Sequence, residues 1–386
     1  MIQGTNKFYI DALGCFTNRV DATRVQNFFL ANGWIQTDQI REASLVVLMT
    51  CGFTQASEDY NISKIEELKQ KMKPGAQMIV GGCLTAINKE RVKTVHDGYT
   101  LTPRTLTKLD DYIPAKTLMG AIDSRTDDPE NPGLKVIRVS TGCMGACTYC
   151  AIPFANGRTQ SRSIDNIIRD IKKSVDEGYT AVKLVSEDVG AYGQDLGVSV
   201  VDLLKEILYN DDNINVLVDS INPNWLYHYK SEMMDLFSSD RIEKNFYIPV
   251  QSGSDRILKL MRRAYTVEEA KLALFTLYES FPEVRISCDF LVGFPTETDT
   301  DFEETRLLLN EYNYDFIQIF MYEDRPGTKA SKFKDKISVD IKEKRRTILF
   351  QDFLKNYLKK HNVSDMKDLM MVLKLQNIPV NFNVQM

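Results

Sequence analysis

The sequence predicts an α/β fold built from parallel sheets in two units. The first is an open, Rossmann-like sheet. The second has six strand–helix repeats, as in an open doubly wound sheet or an incomplete (β/α)6 barrel. Three observations carry this. Strand-like apolar runs alternate with helically spaced ones along most of the chain, the pattern of right-handed crossover connections. Runs such as Leu45–Met49 are apolar at every position, as strands covered on both faces require. A polar, breaker-rich stretch, Asp123–Gly133, divides the two alternating regions.

The elements follow in order. Lys7–Leu13 reads as a strand, and Asp21–Ala31 as a helix ending before Gly33. Ser44–Met49 is a buried strand, Glu58–Met72 a helix stopped by Pro74-Gly75, and Gln77–Val80 another buried strand followed by a helix. These make an N-terminal domain over residues 1–122. Residues 123–133 read as a linker, or as a long surface loop within one domain. In residues 134–335 the strand candidates are Lys135–Val139, Ala181–Val185, Asn215–Asp219, Phe246–Val250, Arg285–Val292 and Asp315–Met321. Helical runs separate them: Ile164–Asp176, Val200–Tyr209, Trp225–Phe237, a pair over Asp255–Ser280, and Thr300–Tyr312. Residues 336–386 hold a basic amphipathic helix, Asp340–Lys360, and a short tail. Residues 329–361 carry 11 Lys/Arg against 4 Asp/Glu, a local charge of +7.

Composition bounds the function. A chain of 386 residues, at roughly 150 per domain, makes two to three domains. With 48 Lys+Arg and 53 Asp+Glu the net charge is −5, which argues against nucleic-acid binding through overall charge and leaves room for a local basic patch. The N-terminus lacks the charged and apolar regions of a signal peptide, and no apolar stretch is long enough to span a membrane. The expectation is a cytoplasmic chain with no membrane partner. The seven cysteines are then not a disulfide framework.

Cys143, Cys147 and Cys150 form C-x3-C-x2-C in a loop just after a strand. Soft thiolates at this spacing select zinc or iron–sulfur clusters. Structural zinc takes four ligands, and the histidines at 96, 228 and 361 are remote in sequence, so zinc would need completion from elsewhere. Three ligands from one loop suit a 4Fe–4S cluster with one iron open. Cys15, Cys51 and Cys83 each follow a predicted parallel strand. Such strand ends lie along one sheet edge, where residues far apart in sequence converge. The alternatives are three separate packing residues or a second three-cysteine cluster. Cys288 lies inside a buried strand and reads as core.

The two cysteine sets, with further stretches, resemble the radical S-adenosylmethionine methylthiotransferases over about residues 7–335. The stretches are Leu13-Gly14-Cys15, Thr50-Cys51, Gly81-Gly82-Cys83, Cys143–Cys150, Ser161-Arg162, Ser186–Gly193, Ile248–Ser254, Asp289–Pro295 and Arg325-Pro326-Gly327-Thr328. Ser186–Gly193 is most similar to the branch modifying threonylcarbamoyl-adenosine in tRNA, and also to the ribosomal-protein branch. The resemblance implies a partial (β/α)6 radical-SAM barrel behind an auxiliary-cluster domain. It implies two 4Fe–4S clusters, on Cys143, Cys147 and Cys150 and on Cys15, Cys51 and Cys83. S-adenosylmethionine would serve as methyl donor and as radical source, and the auxiliary cluster would hold the sulfur.

Further roles follow from that implied chemistry. Tyr149 would pack near the adenine; alone it would read as a core aromatic. Glu187 and Asp188 would bind the cofactor's amino group or ribose, or else be two solvent-facing acids. Arg162 would pair with its carboxylate. Gln251 and Ser252 would reach ribose hydroxyls, and the turn at Gly293 and Phe294 would bring backbone to the adenine. Asn222-Pro223 reads equally as a simple helix start.

Three departures stand out. Asn156-Gly157-Arg158 occupies the place of the family's usual Arg-Gly, and Thr296-Glu297-Thr298 that of Gly-Glu-Thr. After the basic helix too little chain remains for the family's RNA-binding β-barrel. The expected substrate is therefore a peptide or protein side chain, with a modified adenosine of tRNA as the alternative. Thiol insertion without methylation, and a non-catalytic electron-transfer protein, are the other readings. A flavodoxin- or ferredoxin-like electron donor and a monomeric state complete the expectations.

Overall fold

The computed structural model describes residues 6–128, 131–210 and 214–361. The N-terminal unit is a five-stranded parallel sheet of β1 (Lys7–Ala12), β2 (Ile35–Gln36), β3 (Leu45–Thr50), β4 (Gln77–Gly82) and β5 (Tyr99–Thr100). Its order is β2-β1-β3-β4-β5, with all pairs parallel. β3 is buried at every position because helices cover both faces. Leu45, Val47 and Met49 pack with Val25, Phe28 and Phe29 of the helix Phe16–Ala31, while Val46 and Leu48 pack with Ile62, Ile65 and Leu68 of the helix Gln55–Lys71.

That first helix starts five residues before the periodic stretch of the sequence. The Cys15 carbonyl accepts from Asn18 N and Arg19 N, which initiates the helix. Its first turns face the second unit: Phe16 and Val20 pack with Val136 and Val185. The apolar stripe therefore changes direction along the helix, and the early turns carry no single periodicity.

The second unit begins with β6 (Thr126–Asp127), antiparallel to β7 (Lys135–Arg138). The expected linker is thus partly an edge of the barrel sheet. Arg125 is buried there and donates to Asp123, Ser174 and Glu177, ion pairs that a breaker-rich sequence conceals. Residues 129 and 130 of that stretch lie outside the described residues. β8 (Ser140–Thr141) and β9 (Gln160–Ser161) form a small antiparallel pair that brackets the cysteine loop.

β10 (Ala181–Val185), β11 (Asn215–Val218), β12 (Asn245–Tyr247), β13 (Arg285–Val292) and β14 (Phe316–Met321) continue the unit. The parallel order runs β7-β10-β11, crosses to β12 through the bridge Ser220–Tyr247, and ends β12-β13-β14. This is the incomplete six-stranded barrel, the second of the two architectures that the sequence left open. Cys288 on β13 is buried in its core, as expected for a packing residue. The predicted run Trp225–Phe237 is two helices, Pro223–His228 and Lys230–Phe237, broken at Tyr229. Asn222 starts the first of them with Pro223 following.

The C-terminal helix Val339–Lys360 docks on β14 and the helix Asp299–Glu311. Its buried line is Arg345, Leu349, Phe353 and Tyr357, spaced by four residues. The tail after His361 lies outside the described residues. Among the described residues no helix is long and apolar enough to cross a membrane.

Buried polar contacts join the units. Arg138 at the end of β7 donates to Asp21 at 2.7 Å, and Lys183 lies 4.3 Å from the Phe16 ring centre. Arg325, after β14, pairs with Glu58 and donates to Gly52 O at 2.8 Å.

Candidate active site

β1, β3 and β4 are neighbours in the sheet, and a cysteine follows each at its C-terminal end. Parallel register therefore brings Cys15, Cys51 and Cys83 to one edge. Glycines permit the approach. At Gly14 (φ +106°) an added Cβ would stand 2.3 Å from Cys51 Cβ and 2.9 Å from its Sγ. At Gly82 (φ +93°) it would meet Thr50 O at 2.2 Å. Cys83 N donates to Thr50 O, and Cys51 N to Asn61 Oδ1 at 3.1 Å.

The second set is held by the barrel mouth. Cys143 N donates to Gly157 O, closing the loop over the β8–β9 pair. Thr148 N donates to Met261 O, and Thr148 Oγ1 to Leu260 O at 2.8 Å, which pins the loop to the helix Asp255–Met261. A Cβ on Gly145 would lie 3.2 Å from Cys143 Sγ and 3.7 Å from Cys147 Sγ, so the glycine leaves the thiols room. Arg263 donates to Cys147 Sγ at 3.4 Å and to Pro249 O at 2.9 Å.

Burial pushes the Cys143 and Cys150 thiols up to about 12, with neighbouring Asp188 and Cys147 adding to it respectively. Such thiols ionise only when a metal replaces the proton. Three thiols in each set, with no histidine beside them in the sequence, suit a polynuclear iron–sulfur cluster with one open iron better than structural zinc, which takes four ligands.

A cavity of about 280 Å³ opens between the units at the barrel mouth. Of the predicted residues, Cys143, Cys147, Cys150, Tyr149, Glu187 and Gln251 line it. Glu187 Oε1 accepts from Asn156 Nδ2 at 2.6 Å, and Oε2 has no partner among the described residues. Asn156 Oδ1 lies 4.0 Å from Cys83 Sγ. Asn156 thus links Cys83 to Glu187 on the cavity wall. This is the role taken by the residue standing where the family's arginine was expected.

The other predicted cofactor residues point elsewhere. Arg162 binds Asp170 at 2.7 Å and Arg138 O, which leaves no fork for a carboxylate in the cavity. Asp188 is buried and accepts from Trp225 Nε1 and Asn222 N. It is neither solvent-facing nor open to a ligand. Ser252 is fully buried against Thr305. Gly293 N donates to Glu297, and the Lys342 stem packs over the glycine. Phe294 is buried edge-on to Tyr149, Tyr322 and Phe333, so it supports Tyr149 from behind.

Among the lining residues to which the sequence assigned no site role are Tyr247, Arg263, Asp289 and Arg325, the last two in stretches that carried the resemblance. Tyr247 hydroxyl donates to Asp289, whose carboxyl burial lifts to about 6. Arg263 reaches the cavity because Arg262 takes a left-handed turn (φ 59°) after the helix. Nothing in Met261-Arg262-Arg263 says which arginine turns inward. Gln251 is itself left-handed (φ 75°), a conformation costing roughly 1–3 kcal/mol outside glycine. Its N–H to Asp289 O and its carbonyl to Leu291 N hold it there.

Residues 137–309 match the family described as the radical SAM superfamily, and residues 7–101 match an uncharacterized protein family, UPF0004. A probable threonylcarbamoyladenosine tRNA methylthiotransferase of Archaeoglobus fulgidus is 31% identical, over 95% of this chain and 84% of its own. A tRNA-2-methylthio-N(6)-dimethylallyladenosine synthase of Desulfotalea psychrophila is also 31% identical, over 88% and 81%. In fold, the chain is similar to the radical S-adenosylmethionine methyltransferase TsrM of Kitasatospora setae, whose structure holds cobalamin and a 4Fe–4S cluster. That likeness has a TM-score of 0.60 at 13% identity, over 85% of this chain and 77% of the other.

Proposed function

The chain belongs to the radical S-adenosylmethionine methylthiotransferases, and we propose that it places a methylthio group on an N6-modified adenosine of tRNA. Membership brings S-adenosylmethionine and 4Fe–4S clusters as cofactors. The observation that carries the reading is the pair of three-cysteine sets, one on the cavity wall and one linked to that wall through Asn156. The tRNA substrate is supported by the relatives' names, which in both cases give an adenosine of tRNA. No relative reported above supports the peptide expectation, which rested on the short chain beyond the basic helix and on the acidic balance.

Cys143, Cys147 and Cys150 would hold one cluster, and Cys15, Cys51 and Cys83 the other. Bound there, the cofactors supply one-electron chemistry at a carbon–hydrogen bond and the methylthio group. The chain's own residues bind, orient and exclude water. Arg263 fixes Cys147 and sets a positive charge beside the thiolates. The free Glu187 Oε2 is an acceptor for an ammonium or hydroxyl group. Tyr149, Leu291 and Phe320 line the cavity with apolar surface and limit water. At its wall the Tyr247 hydroxyl donates to Asp289. A low-potential donor such as flavodoxin or ferredoxin would supply electrons to a monomer.

The test is anaerobic reconstitution with iron and sulfide, followed by turnover with S-adenosylmethionine and a low-potential reductant such as dithionite, offering total tRNA and separately a peptide mixture. Nucleoside mass spectrometry should show one hydrogen of a modified adenosine replaced by methylthio. A bare thiol would favour sulfur insertion, and modified peptides with unmodified tRNA would overturn the substrate. Cys147→Ala should end S-adenosylmethionine cleavage, while Cys83→Ala should keep cleavage and lose product. Retained cleavage in Cys147→Ala would refute the assignment of the loop.

A further inference from the structure

Beside the cavity, on the outer face of the cysteine loop, lies a patch that the chemistry above does not use. Phe154 is 45% exposed and Met144 42%, although both are large apolar side chains. One edge of the Phe154 ring rests over Gly327, where an added Cβ would come within 3.3 Å, and no other aromatic ring packs on it among the described residues. Three exposed cations sit on the segments that adjoin it: Arg104, Arg158 and Lys329.

Their placement is fixed by backbone contacts. The Arg104 guanidinium lies against Gly157, about 3.0 Å from where its Cβ would be. Arg158 donates to Met144 O at 2.8 Å. Lys329 precedes Ala330, whose N–H donates to Thr148 O of the cysteine loop. Among the described residues no carboxylate pairs with any of the three. The carboxylates of the adjoining loop are occupied: Glu323 accepts from Gln55 N, and Asp324 pairs with Lys336.

We infer that this patch grips single-stranded RNA next to the target nucleotide, with a flanking base stacked on Phe154 and phosphates held by Arg104, Arg158 and Lys329. The inference rests on the tRNA reading and adds to it where the loop is held. An open aromatic face accepts any base, and cations without anionic partners are complementary to a phosphodiester backbone. Ile152, two residues before Phe154, lines the cavity, so a base stacked on that ring leaves its neighbour within reach of the cavity mouth. Exposed cations alone would be an ordinary solvated surface. Their place on the segments adjoining an exposed ring, at the rim of the cavity, is what points to a nucleic acid.

The test uses the full chain and a fluorescein-labelled RNA hairpin with an adenosine in its single-stranded loop, read by anisotropy across a salt series. Phe154→Ala should weaken binding about 5- to 150-fold, the range of one lost base stack, and Phe154→Trp should restore it with quenching of indole fluorescence on RNA addition. The triple variant Arg104→Ala/Arg158→Ala/Lys329→Ala should flatten the slope of log K against log salt by about 2. Circular dichroism checks that each variant folds. Should Phe154→Ala not fold, the Phe154→Trp quench and the salt slope still decide. If the wild type binds the hairpin and the variants match it in affinity and slope, the patch is wrong while the tRNA reading stands. If the wild type binds an acidic peptide and no RNA, both fall.

Discussion

Replacing Glu58 with Gln should loosen the join between the two units more than any surface charge change. Its side chain is 1% exposed and that of Arg325 4%. Besides Arg325, the carboxylate accepts from Arg91 at 2.7 Å and from Asn88 at 2.8 Å. Arg91 keeps a second anion, Asp59. Arg325 does not: its other hydrogen bonds go to Gly52 O and Gln55 Oε1, both neutral. Glu58→Gln therefore leaves one buried guanidinium with no anionic hydrogen-bond partner. Breaking a buried pair from one side costs about 3–5 kcal/mol. At roughly 2.1 cal/mol/K per residue, cooperative unfolding of a chain this long has an entropy near 0.8 kcal/mol/K. The midpoint should fall by about 4–6 °C in calorimetry. Arg325→Met should cost less, because Glu58 retains Arg91 and Asn88, and the double variant should recover part of the Glu58→Gln loss. A shift below about 1 °C for Glu58→Gln, or a double variant no better than that single one, would refute the reasoning.

Other outcomes follow from the same geometry. Gly14→Ala forces a Cβ to within 2.3 Å of Cys51 Cβ in a left-handed turn. Iron analysis after reconstitution should show about half the wild-type content, the barrel set remaining filled. Burial pushes the Glu297 carboxyl up to about 7, against the pull of Gly293 N–H and Arg345. The native state thus holds this proton more tightly than the unfolded chain. Its stabilisation is complete below about pH 4.5 and is lost as pH rises through 7, by at most about 1.36 kcal/mol per unit. Urea unfolding between pH 5 and 8 should show this decline in the wild type and not in Glu297→Gln. Arg138→Met leaves Asp21 buried without its 2.7 Å partner and should cost about 3–5 kcal/mol in the same assay.

Much of the fold was legible because both periodicities are strong. The continuous apolar run at β3 is too short for a helix and reads as a strand covered on both faces, and Ile164–Asp176 and Ala181–Val185 fall where the pattern puts them. The first turns of the helix Phe16–Ala31 were hidden, since Val20 packs on the other unit and has no place in the stripe that faces the sheet. The edge strand β6 was hidden because Gly, Pro and Asp dominate its surroundings while Arg125 ties them down through ion pairs.

The sequence alone says where the thiols stand along the chain: C-x3-C-x2-C sets three in one loop by spacing, and three more each follow a strand. Their meeting at one edge is decided by the sheet order, in which β1, β3 and β4 are neighbours. Orientation at the cavity was not legible. Glu187 and Asp188 are adjacent in the loop that follows β10, yet their side chains part. One lines the cavity and the other is buried under Trp225. Arg162 and Arg263 are both candidate partners for an anion, and Asp170 occupies the first while a left-handed turn at Arg262 delivers the second to Cys147. Such choices depend on which partner packs nearest in three dimensions, and the distance along the chain, 116 residues between Arg263 and Cys147, carries no trace of it.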